Sequence, residues 1–411
     1  MADKTGKTLV VIGGGAAGFF CAINAAAMNR QLKVILLEKS DKLLSKVKIS
    51  GGGRCNVTHA CFSISEMARK YPRGEKFVRK TFHTFFTQDT IDWFAARGVP
   101  LKAEADGRMF PVTDSSQTII DCLLQQASRY AIDIRLRAEV KALESHNGGF
   151  HLELSGGRQL QADYVTVACG GYPKAAMFAW LEALGHSIAE PVPSLFTFNI
   201  PQHPIVSLMG ISVPEAQVKI NGSKLKEHGP VLITHWGLSG PAVLRLSAWG
   251  ARELQQKAWH FDIQVSWLPN FNEETLRADT SQRRQSLGAQ QVQHRNPYGL
   301  PSRLWEFLVA QSEVPAGCRW GELPSKAQNL LIRNLCAYPL QVKGKTTYKE
   351  EFVTAGGIQL NEVEAATLMS KKVPNLFFAG EILDIDGITG GFNFQNAWTT
   401  GYIAAQSIAR L

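Results

Sequence analysis

With 411 residues, 45% hydrophobic and 19% charged, the chain is too long for one small core and too apolar to remain disordered. Its seven cysteines, odd in number and irregularly spaced, exclude a disulfide framework and fit a reducing, cytoplasmic setting. The net charge of +9 suits counter-charge for an anionic cofactor and equally a polyanionic partner such as RNA.

The chain opens with Lys4 and Lys7 ahead of an uncharged stretch from Leu9 to Met28, a pattern shared with signal peptides. Gly13, Gly14, Gly15 and Gly18 interrupt that stretch, so neither a leader nor a membrane span is expected. Thr8 to Ile12 reads as a buried parallel strand, Ala16 to Asn29 as an alanine-rich helix, and Lys33 to Leu37 as a second strand ending at Glu38. Ser115 and Ser116 cap a helix carrying Ile119, Ile120, Leu123, Leu124 and Ala127 on one face. Ile132 to Val140 alternates as one strand, and Phe150 to Leu154 and Tyr164 to Cys169 give two more. After residue 190, Pro191, Pro193, Pro201, Pro204 and Pro214 punctuate short alternating segments that predict antiparallel β structure. Residues 273 to 312 are polar with Trp305 and Phe307 as anchors, and read as helical. Asn375 to Ala379 is again a buried strand, followed by glycine-rich turns and a helix from Asn393. The fold class is therefore α/β, with a dinucleotide domain built from both chain ends around a β-rich, partly helical insertion.

Gly13, Gly15 and Gly18 form G-x-G-x-x-G between strand and helix: a tight turn, a close approach to pyrophosphate, and close helix–strand packing. Glu38 follows twenty residues after Gly18, placed for ribose hydroxyls. Three further glycine motifs select FAD over a nicotinamide nucleotide, because a long dinucleotide crossed by several loops explains them together. Gly51, Gly52 and Gly53 supply pliant backbone, with Arg54 to pair with phosphate, followed by Cys55 and Asn56. Gly170 and Gly171 follow one buried strand, and Gly380 and Glu381 another; Glu381 is expected to orient ribityl hydroxyls. Gly390 and Gly391 precede the last helix, whose positive end would face the reduced flavin's charge near N1 and the C2 carbonyl.

The stretches KISGGGRCN, THWGLSGP (Thr234 to Pro241) and AGEILDIDGITGGFNFQNAW (Ala379 to Trp398) resemble a bacterial family of FAD-binding flavoproteins, the NAD(P)/FAD-dependent oxidoreductases. The resemblance covers essentially the whole chain. It implies a Rossmann-type FAD domain (1–190 and 350–411), an inserted β-barrel (191–272 and 330–349) and a small helical domain (273–329). It also implies a cofactor-contacting set that adds Ala16, Ala17, Lys39, Ser50, Val140, Cys169, Phe392, Asn393 and Gln395 to the residues above. Its members include a reductase of a C=C bond, an amine oxidase and a ribosomal RNA dihydrouridine synthase. This chain has Ala168-Cys169-Gly170-Gly171 where the family has A-T-G-G. Its Gly107-Arg108-Met109-Phe110-Pro111 is a variant from which the enteric RNA-modifying members differ.

Cys55 and Cys61 have five residues between them, unlike the C-x-x-x-x-C pair of disulfide reductases, so Cys55 is read as packing. No second G-x-G-x-x-G follows a strand, so NAD(P)H is expected as a transient hydride donor in ping-pong kinetics. His235 in the THWGLSGP turn is the first candidate for the proton donor and Tyr172 the second, while Asp384 and Asp386 shape their own turn. The expected function is NAD(P)H-driven reduction of a C=C bond through FAD. Dihydrouridine synthesis on ribosomal RNA, amine oxidation and a non-catalytic FAD sensor are the alternatives. The partner is then a small molecule or ribosomal RNA, with no membrane, protein partner or metal expected.

Overall fold

The computed structural model describes residues 6–346 and 353–411. Contacts divide the chain into two units: residues up to Ser194 together with the C-terminal segment ending at Leu411, and the intervening segment from Leu195.

The first unit is organised on a five-stranded parallel sheet. Its spatial order is Leu376–Phe378, Tyr164–Val167, Thr8–Ile12 (β1), Lys33–Leu37 (β2) and Asp133–Arg135. Successive residues of β1 point to opposite faces of the sheet, and Leu9, Val10, Val11 and Ile12 are all buried, which is why the strand is apolar without alternation. Within the sheet Val10 pairs with Ile35 on one side and Val165 on the other. Val165 in turn pairs with Leu376, so the last strand of the sheet comes from the far end of the chain. The helix Ala16–Met28 (α1) is buried along Ala17 to Ala26, too uniformly for a one-faced surface helix. The C-terminal helix Phe392–Ala409 packs on it closely enough that a Cβ on Gly401 would meet the Ala17 carbonyl at 2.7 Å. Phe20, Trp93 and Trp398 fill the adjoining space, with ring centroids 4.6 and 5.2 Å from Phe20.

The alternating stretch Ile132 to Val140 is two strands in different sheets, not one. Arg137 takes φ +52°, which breaks the extended run. Asp133–Arg135 joins the parallel sheet beside β2, whereas Val140–His146 pairs with Gly149–Leu154 in a three-stranded antiparallel sheet. A second small antiparallel sheet pairs Thr58–His59 with Arg108–Pro111, so Gly107-Arg108-Met109-Phe110-Pro111 leads into a strand laid against the segment that follows GGGRCN.

The second unit carries a seven-stranded sheet whose neighbouring strands all pair antiparallel. Helices Glu273–Ser286, Ser302–Ala310 and Ser325–Cys336 share its core: Leu276, Trp305 and Leu331 pack in one cluster with Val218, Ile263 and Val265. Among the described residues no helix is long and apolar enough to cross a membrane.

Candidate functional site

The turn between β1 and α1 shows what each glycine does. A Cβ on Gly13, at φ +117°, would meet the Ala168 carbonyl oxygen at 2.4 Å, and one on Gly18 would meet the Gly13 carbonyl oxygen at 1.9 Å. Gly15 is different: a Cβ there meets nothing within 4 Å, so its backbone fronts open space. Gly15 and Ala16 are half-buried and Ala17 buried. No side chain caps α1 and no acidic residue lies in its first turn. An uncapped helix N-terminus behind an open glycine is a cradle for an anionic group such as a pyrophosphate.

Glu38 closes the cradle on the β2 side. One carboxylate oxygen accepts from the Gly14 N–H at 2.9 Å, the other from the Ser40 N–H and hydroxyl at 2.8 Å each. Held this way, the carboxylate keeps lone pairs for a ribose diol. Ala138 donates its N–H to the Glu38 carbonyl, which brings the start of the Val140 strand alongside. Exposed Lys39 lies 5.6 Å from the Tyr172 ring. Tyr172 also meets Phe178 edge-on at 5.0 Å, and burial pushes its phenol well above the usual range. Beside it, burial pushes the Cys169 thiol up to about 11.

The segment after Val47 turns sharply. Ser50 leaves the helical region, and Gly51, Gly52 and Gly53 take φ +59°, +70° and +83°. A Cβ on Gly51 would meet the Phe110 ring at 2.8 Å, while Gly52 and Gly53 face open space. Arg54 pairs with Glu104 at 2.6 Å, lies 3.6 Å from Asp114 and stacks 3.9 Å over Phe110, contacts that brace the loop. Cys55 is fully buried and its thiol is pushed up to about 12, so it packs and offers no surface to a cofactor.

The two ends of the chain meet at Gly390-Gly391. With its amide oriented as its neighbours require, Asn56 accepts from the Gly391 N–H and donates to the Thr58 carbonyl, each at 3.0 Å. His59 Nδ1 lies 3.0 Å from the Gly390 carbonyl, and its ring stacks on Phe392 at 4.7 Å. Asn393 exchanges hydrogen bonds with both backbone groups of Gly387, at 2.8 and 3.0 Å. Gln395 is fully buried, accepting from the Thr58 and Thr90 hydroxyls at 2.6 and 3.0 Å and donating to Thr399, which ties the last helix to the core. The ring of Phe392 is likewise buried; its carbonyl accepts from Tyr71 at 2.6 Å.

Gly380 sits against the start of α1, since a Cβ there would touch Ala17 Cβ at 2.8 Å. Next to it, Glu381 accepts from the Thr354 N–H at 2.9 Å and pairs with Lys46 at 2.5 Å. A Cβ on Gly171 would meet Thr354 and the Glu381 carboxylate, so these glycine motifs converge beside one another. Asp386 is fully buried, accepts from Nε and Nη2 of Arg73, one on each carboxylate oxygen, and accepts from Ser194 at 2.8 Å, which fixes the turn. His235 belongs to the second unit, exposed in a hairpin turn that Thr234 closes onto Gly237. His59, Lys46, Tyr71 and Arg73 were not foreseen: His59 and Gly390 are 331 positions apart, and no periodicity carries such a contact.

An open glycine cradle, an acid held at the end of β2 and a second glycine-led helix fit a bound dinucleotide, and the comparisons agree. The HI0933-like protein Rossmann domain matches residues 7–407, and the chain belongs to that family of FAD-binding oxidoreductases. The chain is 31% identical over 413 residues to the ribosomal RNA dihydrouridine synthase of Escherichia coli (strain K12), covering 97% of each. It is 28% identical over 407 residues to the 3-dehydro-bile acid delta(4,6)-reductase of Clostridium scindens, covering 97% of this chain and 98% of that one. Among solved structures, the 3-ketosteroid-delta4-(5alpha)-dehydrogenase of Rhodococcus jostii RHA1 shares the fold, with a TM-score of 0.53 at 14% identity, covering 100% of this chain and 99% of that one.

Proposed function

We propose that this chain reduces a carbon–carbon double bond conjugated to a carbonyl, with NAD(P)H as transient donor and FAD as carrier. The carrying observation is the assembly of the Gly390-Gly391 helix start against Asn56 and His59, at the opposite end of the chain from the α1 cradle. Two similar proteins support the chemistry, because a dihydrouridine synthase and a delta(4,6)-reductase both imply saturation of a C=C bond.

Bound FAD would supply hydride chemistry, accepting from NAD(P)H and delivering to one carbon of the double bond. The α1 N-terminus with Gly13, Gly15, Ala16 and Ala17 would hold the pyrophosphate, and Glu38 the adenosine ribose, with Lys39 and Val140 beside it. Glu381, held by Thr354 and Lys46, would orient ribityl hydroxyls. The Phe392 and Asn393 N–H groups would face the flavin's electron-rich edge. His235 remains the first candidate to protonate the second carbon. Tyr172 is a weaker one, because burial and Lys39 set it beside the adenosine-ribose acid. In this reading residues 1–190 and 350–411 form the FAD domain. Seven free cysteines suit a cytoplasmic location.

Ribosomal RNA is the second reading for the acceptor, favoured by the net charge of +9 and the 31% identical relative. Anaerobic mixing of the FAD-loaded protein with NADH or NADPH should bleach the flavin; no bleaching with either would remove the donor. Deleting the gene and measuring dihydrouridine in ribosomal RNA separates the acceptors: a loss supports RNA, and unchanged RNA leaves the small molecule.

A further inference from the structure

Gly390 and Gly391 are glycine for steric reasons. A Cβ on the first would meet the Phe392 ring at 2.7 Å, and one on the second would meet the Thr58 carbonyl oxygen at 2.5 Å. Their φ values of +132° and +93° confirm that side chains are ill-suited there. Two adjacent glycines also make the softest hinge a chain offers, with the most backbone freedom to be lost on ordering. Yet the N–H groups that follow must stay aimed at one place for the helix start to act on a ligand.

The peptide between the two glycines is gripped at both of its polar atoms. Asn56 takes the Gly391 N–H and His59 the Gly390 carbonyl, each at 3.0 Å, and both come from one short segment. A carbonyl only accepts, so His59 must carry its proton on Nδ1. The ring's other contacts hold that orientation: it stacks on Phe392, and Gly107 leaves room at Nε2, where a Cβ would stand 2.5 Å away. Gly107 of the G-R-M-F-P stretch is therefore explained by His59. The first helical bond, from the Gln395 N–H to the Gly391 carbonyl at 3.0 Å, begins just past the clamp.

We propose that His59, with Asn56, is a positioning residue for the flavin: it fixes the Gly390-Gly391 peptide so that the helix N–H groups stabilise negative charge on the reduced ring. The inference rests on the FAD reading above and adds to it a residue that touches neither substrate nor reacting atoms. The test compares His59→Leu with His59→Asn, which are nearly equal in size but differ in the donor. In FAD-loaded protein the midpoint potential should fall in His59→Leu, for about a fivefold shift of the oxidised–reduced equilibrium, or about 20 mV for a two-electron couple. His59→Asn should restore it. Equal potentials in wild type and His59→Leu would overturn the proposal, whereas protein that binds no FAD at all would instead overturn the functional reading. Should His59→Leu fail to fold, nitrogen-15 NMR of histidine-labelled wild-type holoprotein decides: a proton on Nδ1 of His59 is expected, and one on Nε2 alone refutes the clamp.

Discussion

Replacing Gly18 by alanine sets two effects of opposite sign against each other. In an ordinary helix interior the change favours folding by about 1 kcal/mol, since alanine is the better helix former. Here the new Cβ would lie 1.9 Å from the Gly13 carbonyl oxygen and 3.4 Å from Val11 Cγ1. A comfortable carbon–oxygen separation is roughly 3.3 Å, so α1 must retreat by about 1.4 Å, nearly the rise of one helical residue. That oxygen is backbone, held in a turn whose Gly13 N–H donates to the Leu37 carbonyl at 2.7 Å, so it cannot step aside. Overpacking of this kind costs about 1–3 kcal/mol and outweighs the propensity gain. The retreat also withdraws the helix end from the phosphates, a loss of up to about 2 kcal/mol, or roughly thirtyfold in affinity. Urea unfolding of the apoprotein and titration with FAD by flavin fluorescence quenching measure both quantities. A Gly18→Ala protein that is as stable as wild type and binds FAD equally well would refute the close-packing account.

Gln395→Leu should destabilise the protein by about 1–3 kcal/mol, because the buried Thr58 hydroxyl loses its acceptor; the remaining folded protein should keep a wild-type FAD affinity, measured by the same titration. Glu362 accepts from the Ser187 N–H at 2.9 Å, pairs with Lys372 at 2.6 Å and lies 3.1 Å from His186, which together hold its carboxyl down at about 2 despite burial. Its folded value is depressed, so its contribution is complete above about pH 4.3 and disappears as pH falls toward 2. Thermal melts should show Glu362→Gln less stable by about 2 kcal/mol at pH 7, a figure discounted for solvent screening, with the gap closing below pH 4. Native thiol titration at pH 8 should spare Cys21 and Cys55, both fully buried with thiols pushed up to about 12, and denaturation should expose all seven cysteines.

The parts of the site that were readable in the sequence are those governed by local rules. The TLVVI and KVILL strands, the intervening helix and Glu38 follow from periodicity and glycine spacing within forty residues. The contribution of the far chain end was readable because the strand–glycine pattern recurs there. Long-range partners were hidden: Thr58 with Gln395, Val57 with Trp398, and His59 with Gly390 lie more than three hundred positions apart. The partners of Arg54 were hidden as well, because nothing local to the three glycines announces Glu104 and Phe110. The Ile132 to Val140 strand misled because alternation continues through Arg137, a non-glycine residue at positive φ.

The most direct test of C=C reduction is a single turnover. FAD-loaded protein is reduced anaerobically with NAD(P)H, freed of nucleotide, and mixed with either deproteinised ribosomal RNA or a conjugated enone. Flavin reoxidation is then followed alongside product mass. One acceptor gaining two hydrogens per flavin reoxidised is the predicted result. A flavin that neither nucleotide reduces, or that stays reduced before both acceptors, would contradict it.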